Sequence, residues 1–153
     1  MSGAWQKTLK SLEYYKILEE LAKYTRCSYS KRLCLDLEPL KNFSQIQTML
    51  NYTKEALTIL NNALDIPLDY VVDFDEIDMH SEYFSETELI DIAKTLRSSR
   101  LVKGFFRDNA DLDSLLYNLS QKLYTNKDLE TKIENTFDEN YNVKHNATQT
   151  LNG

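Results

Sequence analysis

Four cations, Arg97, Arg100, Lys103 and Arg107, stand three and four residues apart in the stretch SETELIDIAKTLRSSRLVKGFFR, residues 85–107. On a helix this spacing brings Arg100, Lys103 and Arg107 to one side, where guanidinium and ammonium groups meet phosphate oxygens. The four are the candidate nucleic-acid contacts of the chain. The competing and preferred reading is a solvated face, or ion pairs with the acids of 65–91. Asp73, Asp75, Glu76 and Asp78 offer clustered oxygen ligands, but the segment lacks the glycine and the distal glutamate of a calcium loop. It reads instead as a solvated acidic connection, with a short helix near 75–82 and no Lys or Arg between Asp65 and Ala93. Cys27 and Cys34 form no C-x-x-C and have no His nearby, so reduced, partly buried thiols are expected in place of a metal or redox site. His80 and His145 have no Ser, Cys or carboxylate at a spacing that implies a triad. Neither GxxxxGK[ST] nor GxGxxG occurs. No catalytic, cofactor-binding or metal residue is expected, and the chain by itself is not expected to be an enzyme.

The elements that must position these side chains are helical. Ser85 and Glu88 have the spacing of a capping box, and Leu89, Ile92, Ala93 and Leu96 follow at helical intervals. Leu101, Val102, Phe105 and Phe106 point about half a turn away from that group. The helix either breaks near Ser98-Ser99 or is gripped on two sides, and an element apolar on two sides is the central one. Before it, a helix is expected over about Lys7–Thr25, carrying Leu9, Leu12, Ile17, Leu18, Leu21 and Ala22. A second spans about Ser28–Glu38 and stops at Pro39. A third starts at Asn42 with Gln45 in the capping position, and bears Phe43, Ile46, Leu50, Leu57, Leu60 and Leu64 in steps of three and four. Only Thr53 interrupts that seam, and packing within the chain is preferred over a coiled coil with another copy. After the central helix, Asp111 or Asp113 caps a helix running through Leu123, with Leu112, Leu115, Leu116, Leu119 and Leu123 inward. Thr125 or Asn126 caps a last helix, from Lys127 to about Asp138, on Leu129, Ile133 and Phe137. Residues 1–138 form a helical core domain. Residues 139–153 are a polar tail or the start of a connection.

The composition agrees with an all-α bundle of about five to six helices. Only three Gly and two Pro occur in 153 residues, too few for sandwiches or phosphate loops. A net charge of −6 opposes free-standing DNA binding, because phosphate contacts supply most of that affinity. No apolar run is long enough to span a membrane and the first residues lack a signal-peptide core, so a cytoplasmic location is expected.

The order of motifs carries the reading further. KTLKSLEYYKILEELAKY (7–24) resembles the opening of the second bacterial MutS subfamily, the MutS-like recombination suppressors, in Thr8, Leu9, Leu12, Glu13, Tyr14, Lys16, Ile17, Leu18, Leu21 and Ala22. Pro39 follows the second helix as in the family. Leu50, Thr53, Glu55 and Ala56 match its Leu-x-x-Thr-x-Glu-Ala, and the central helix resembles its Ser-x-x-Glu-Leu…Ile-Ala…Leu-Arg…Arg-x-Leu/Val-Lys-x-Phe run. The stretch from Ile133 to Leu151 is similar to the family's closing pattern. Ser30 replaces a family glycine, the Gly-Gly before the capping box is missing, and Thr148-Gln149 stand where the family has Ser-Pro.

The resemblance implies an N-terminal core segment, structural and force-transmitting, that precedes a lever. It implies downstream lever and ATPase domains as partners, with ATP and Mg held there and not in this chain. Homodimerisation through those domains is implied, often with a C-terminal Smr nuclease domain. So are branched DNA or collided ribosomes as targets of the full-length protein, with roles in recombination suppression, repair or ribosome rescue. No family nucleotide-binding or catalytic residue falls on the matched positions. A stand-alone helical adaptor that binds a protein partner is the alternative.

Overall fold

A computed structural model describes residues 3–62, 64–77, 80–109, 111 and 114–137. The tail 139–153 with His145, and Asp78, Leu112 and Asp113, lie outside the described residues. Among those described, seven α-helices and no strand occur: α1 (Gly3–Ser11), α2 (Tyr14–Ala22), α3 (Ser28–Leu35), α4 (Phe43–Asn61), α5 (Glu86–Asn109), α6 (Leu115–Gln121) and α7 (Lys127–Thr136). The fold is all-α, with more helices than the five to six expected.

The central helix is α5. Its capping box is formed: the Ser85 N–H donates to Glu88 at 2.7 Å, and the Glu88 N–H donates to Ser85 Oγ at 3.3 Å. The Ser85 hydroxyl also donates to the Glu88 carboxylate, at 2.7 Å, and it and the Ser85 N–H hold that carboxyl below its ordinary range. No break occurs at Ser98-Ser99, and α5 runs on for 24 residues, about 36 Å. Of the two alternatives, the grip on two sides is the one found. Ala93 joins Ile133 and Phe137 of the α7 end in a core cluster flanked by Leu89, Ile90 and Ile92. Thr95, Ser98, Val102 and Phe106 are buried on the other side of the helix. There Thr95 Oγ1 accepts from the Val72 N–H at 3.0 Å, fastening the extended segment before α5 to its flank.

Four expectations are corrected. The helix over Lys7–Thr25 is two helices, α1 and α2, joined at Glu13 in a left-handed conformation with φ 55°. Leu9 and Leu18 are nine residues apart, so on one straight helix they would face opposite ways, at about 100° per residue. The break lets both become buried, while Leu12 and Ile17 stay exposed. Second, α3 ends at Leu35, ahead of Glu38, and Tyr14 Oη donates to the Leu37 carbonyl at 3.2 Å just beyond it. Third, the acidic connection holds a 3-10 turn at Phe74–Glu76 in place of a helix over 75–82, and Asp73 there is buried. Fourth, the cap of α6 is Ser114, which accepts from the Tyr117 N–H, and Leu119 faces outward.

The largest departure concerns α4. Its cap is as expected, Asn42 accepting from the Gln45 N–H at 3.1 Å. Its seam is not in a core: Phe43, Ile46, Leu50, Leu57 and Leu60 are all exposed, and α4 buries no residue. The half-buried side of α4 is Tyr52, Glu55, Ala56 and Ile59, roughly opposite the seam. Glu55 meets the first turn of α6, its two oxygens accepting from the Leu115 and Leu116 N–H groups at 3.0 and 2.9 Å. A carboxylate there satisfies orphan donors and complements the helix dipole. Helix α6 is only seven residues long and leaves most of the 19-residue α4 uncovered.

Candidate nucleic-acid interface

The four candidate cations all lie on α5, three donating hydrogen bonds within the chain and Arg97 forming a longer ion pair. Arg100 reaches across to α7, where its Nε and a terminal nitrogen donate to the two oxygens of Glu130 at 2.9 and 2.7 Å. Lys127, one turn before Glu130, donates to the same carboxylate at 3.0 Å. The Glu130 side chain is 1% exposed, and a carboxylate so buried stays charged only when cations hold it. The Arg100 bonds outweigh the opposing effect of burial, Lys127 adds to them, and the Glu130 pKa is lowered to about 2. The same pairing raises that of Arg100.

Lys103 closes the end of another element. Its ammonium donates to the Gln121 and Leu123 carbonyls at 3.0 and 3.3 Å, at the C-terminus of α6, where carbonyls lack helical partners. Arg107 donates to its neighbour Asp108 at 2.9 Å, which raises the arginine and lowers the aspartate. Arg97 stands 3.7 Å from Glu134.

Arg100, Lys103 and Arg107 do share one side, as their spacing implied, and line a groove of ≈ 650 Å³ with Gly104, Gln121 and Thr125. Arg97 lines a second groove, of ≈ 430 Å³, with Tyr70 and Lys94. Among the described residues, the anionic partners of the three arginines are corrected: they come from α7 and from Asp108, not from 65–91. The acids of that segment bind other arginines. Arg32 of α3 bridges Asp73 and Asp75 at 2.9 and 2.8 Å, and Arg26 meets Asp65 at 3.0 Å. Arg107 and Arg97 retain the most exposure of the three arginines on α5, while Arg100 and Lys103 hold helices together.

Sequence reasoning missed the Glu130 hub, the Arg32 clamp and the Glu55 cap. The Lys127–Glu130 spacing was a visible signal. The partners Arg100 and Arg32 lie 30 and 41 residues away along the chain and leave no local trace. Cys27 precedes α3 with its thiol 3.1 Å from Ser30 Oγ, and both cysteines are free. His80 is exposed. Among the described residues no group of three or more His, Cys, Asp or Glu is arranged to hold a metal. No helix among them is long and apolar enough to cross a membrane.

Comparison with known proteins finds relatives named endonuclease MutS2. The chain is 32% identical over 157 residues to endonuclease MutS2 of Bacillus cereus (strain B4264), covering 97% of this chain and 20% of that protein. It is 30% identical over 153 residues to endonuclease MutS2 of Alkaliphilus oremlandii, and 27% identical over 151 residues to that of Alkaliphilus metalliredigens; both cover 95% of this chain and 19% of the relative. The chain thus spans about one fifth of the length of the curated relatives it matches. No family model and no solved structure matches it. Nearly the whole chain is therefore homologous to a segment of proteins of the MutS2 family.

Proposed function

We propose that the chain is a helical core segment of a MutS-like, DNA-binding ATPase of the cytoplasm that acts in recombination suppression, DNA repair or ribosome rescue. In this reading it is structural and force-transmitting and carries no catalysis of its own. ATP and Mg belong to an ATPase domain outside this chain, and so does the main dimer contact. Branched DNA or ribosomes are engaged by the full-length protein. The observation that carries the reading is the match of 95% or more of the chain to one fifth of proteins named endonuclease MutS2.

The geometry supports a mechanical role. Helix α5 is a continuous rod pinned to α7 through Arg100–Glu130 and to α6 through Lys103, so displacement of one helix moves the others. The same pins leave little uncompensated positive charge for phosphate. The isolated chain is therefore expected to shift a four-way DNA junction only at low salt, in an electrophoretic assay, and to lose the shift near physiological ionic strength. Tight binding that survives that salt, and that falls on Arg97→Ala with Arg107→Ala, would make α5 a direct nucleic-acid contact.

The exposed α4 seam favours a second reading, a stand-alone adaptor that binds a protein partner. It requires a stable complex formed by this chain without any lever or ATPase domain.

A further inference from the structure

The exposed residues of α4 repeat with a period of seven: Phe43, Leu50 and Leu57 take one position, Ile46 and Leu60 the other, with Thr53 between them. Such a seam is the packing surface of a helix. All five apolar members face water, Phe43 at 79% and Leu57 at 53% exposure, and Met49 widens the strip. The helix is also poor in charge. Its 19 residues carry one Lys and one Glu, against 27% charged residues in the whole chain. Depletion of charge on an exposed apolar face is the composition of an interface centre, not of a solvated surface.

The strip is not isolated. Among the described residues, most of the exposed large apolar side chains, from Leu12 through Leu33 and Leu37 to Leu60, precede residue 61. The α5–α7 core cluster lies wholly after it. The first half of the chain thus supplies apolar surface that the described helices do not cover.

We infer that this face of α4 is covered by a helix with its own uncharged apolar seam, contributed by the portion of a MutS2-type polypeptide outside the matched fifth. The inference rests on the proposed reading of the chain as a segment of such a protein. Two observations select this occupant over a second copy of α4. A two-stranded coiled coil keeps its flanking positions in water and charges them. Here the exposed flanks are Gln47, Met49, Lys54 and Asn61, with one charge among them, so the face suits a broader enclosure. Four fifths of each relative lies outside the match, which is ample chain to supply it.

The test compares two proteins carrying Leu57→Cys: the full 153-residue chain, and the Bacillus cereus MutS2 with its matched segment replaced by this chain. Maleimide labelling at position 57 is read by peptide mass spectrometry, with Lys132→Cys, at an exposed position of α7, as reference. Position 57 is expected to label at the reference rate in the chain alone at every protein concentration, and about tenfold or more slowly in the chimera. A chimera that unfolds cooperatively yet labels as fast as the chain alone overturns the inference and spares the family reading. Protection that grows with the concentration of the chain alone identifies a second copy as the occupant and also overturns it. A chimera with no cooperative unfolding sinks the segment reading, and the inference with it.

Discussion

Glu130 concentrates more of the chemistry than any cation on α5. Its carboxylate is enclosed, doubly held by Arg100 and shared with Lys127. Arg100→Ala strands a buried anion with one remaining partner and is expected to cost about 3 kcal/mol in urea unfolding. Glu130→Ala is expected to cost less, because Arg100 retains a path to water. The pH dependence has a fixed sign. A carboxyl at about 2 when folded and near 4.5 when unfolded binds more protons in the unfolded state across that window. Its stabilisation is therefore complete above about pH 5 and is lost as pH falls towards about 2. Urea midpoints measured across that range should fall less steeply for Glu130→Gln than for the native chain. At this scale the sequence was only half legible. Ser85 and Asn42 cap as their spacing announced, and Asn126 is the one of two candidates that caps α7, because a cap is decided within four residues. Glu130, Arg32 and Glu55 were silent, because their partners arrive from remote elements.

Among the elements, the long helix with a capping box was the most legible. Its two apolar groups described a helix packed on both sides, and α5 is that helix. The first stripe misled because hydrophobic identity does not say where a helix turns. Leu9 and Leu18, which one straight helix would point in opposite directions, are both buried on two helices that meet at Glu13. The α4 seam misled differently: its period was right, but its partner is not among the described helices. Two predictions belong here. The double change Leu57→Asp and Leu60→Asp should move the stability of the isolated chain by about 0.5 kcal/mol or less per site, since neither is buried. Calorimetric melting checks this, and a large loss would mean that the seam packs within the chain. Glu55→Ala should free the first N–H groups of α6 and accelerate hydrogen exchange at Leu115 and Leu116, with α7 unaffected.

At the scale of the molecule, the fold divides into a second half that builds its own core and a first half rich in uncovered apolar side chains. A composition that is 42% hydrophobic did announce a core, but not how the burial would be shared between the halves. The length of α5 has a consequence for the order in which the chain assembles. Isolated helices of fewer than about 12–15 residues are marginal in water, and α1, α2, α3, α6 and α7 are all shorter than that. Of the two longer helices, only α5 also buries side chains. It is the natural folding nucleus, onto which the short helices condense. Stopped-flow chevrons should then separate two changes at buried alanines. Ala93→Gly, on α5, should slow refolding, whereas Ala22→Gly, on α2, should leave refolding unchanged and hasten unfolding. A chain organised this way acquires its rod before its contacts, and every short helix is recruited to a template already in place.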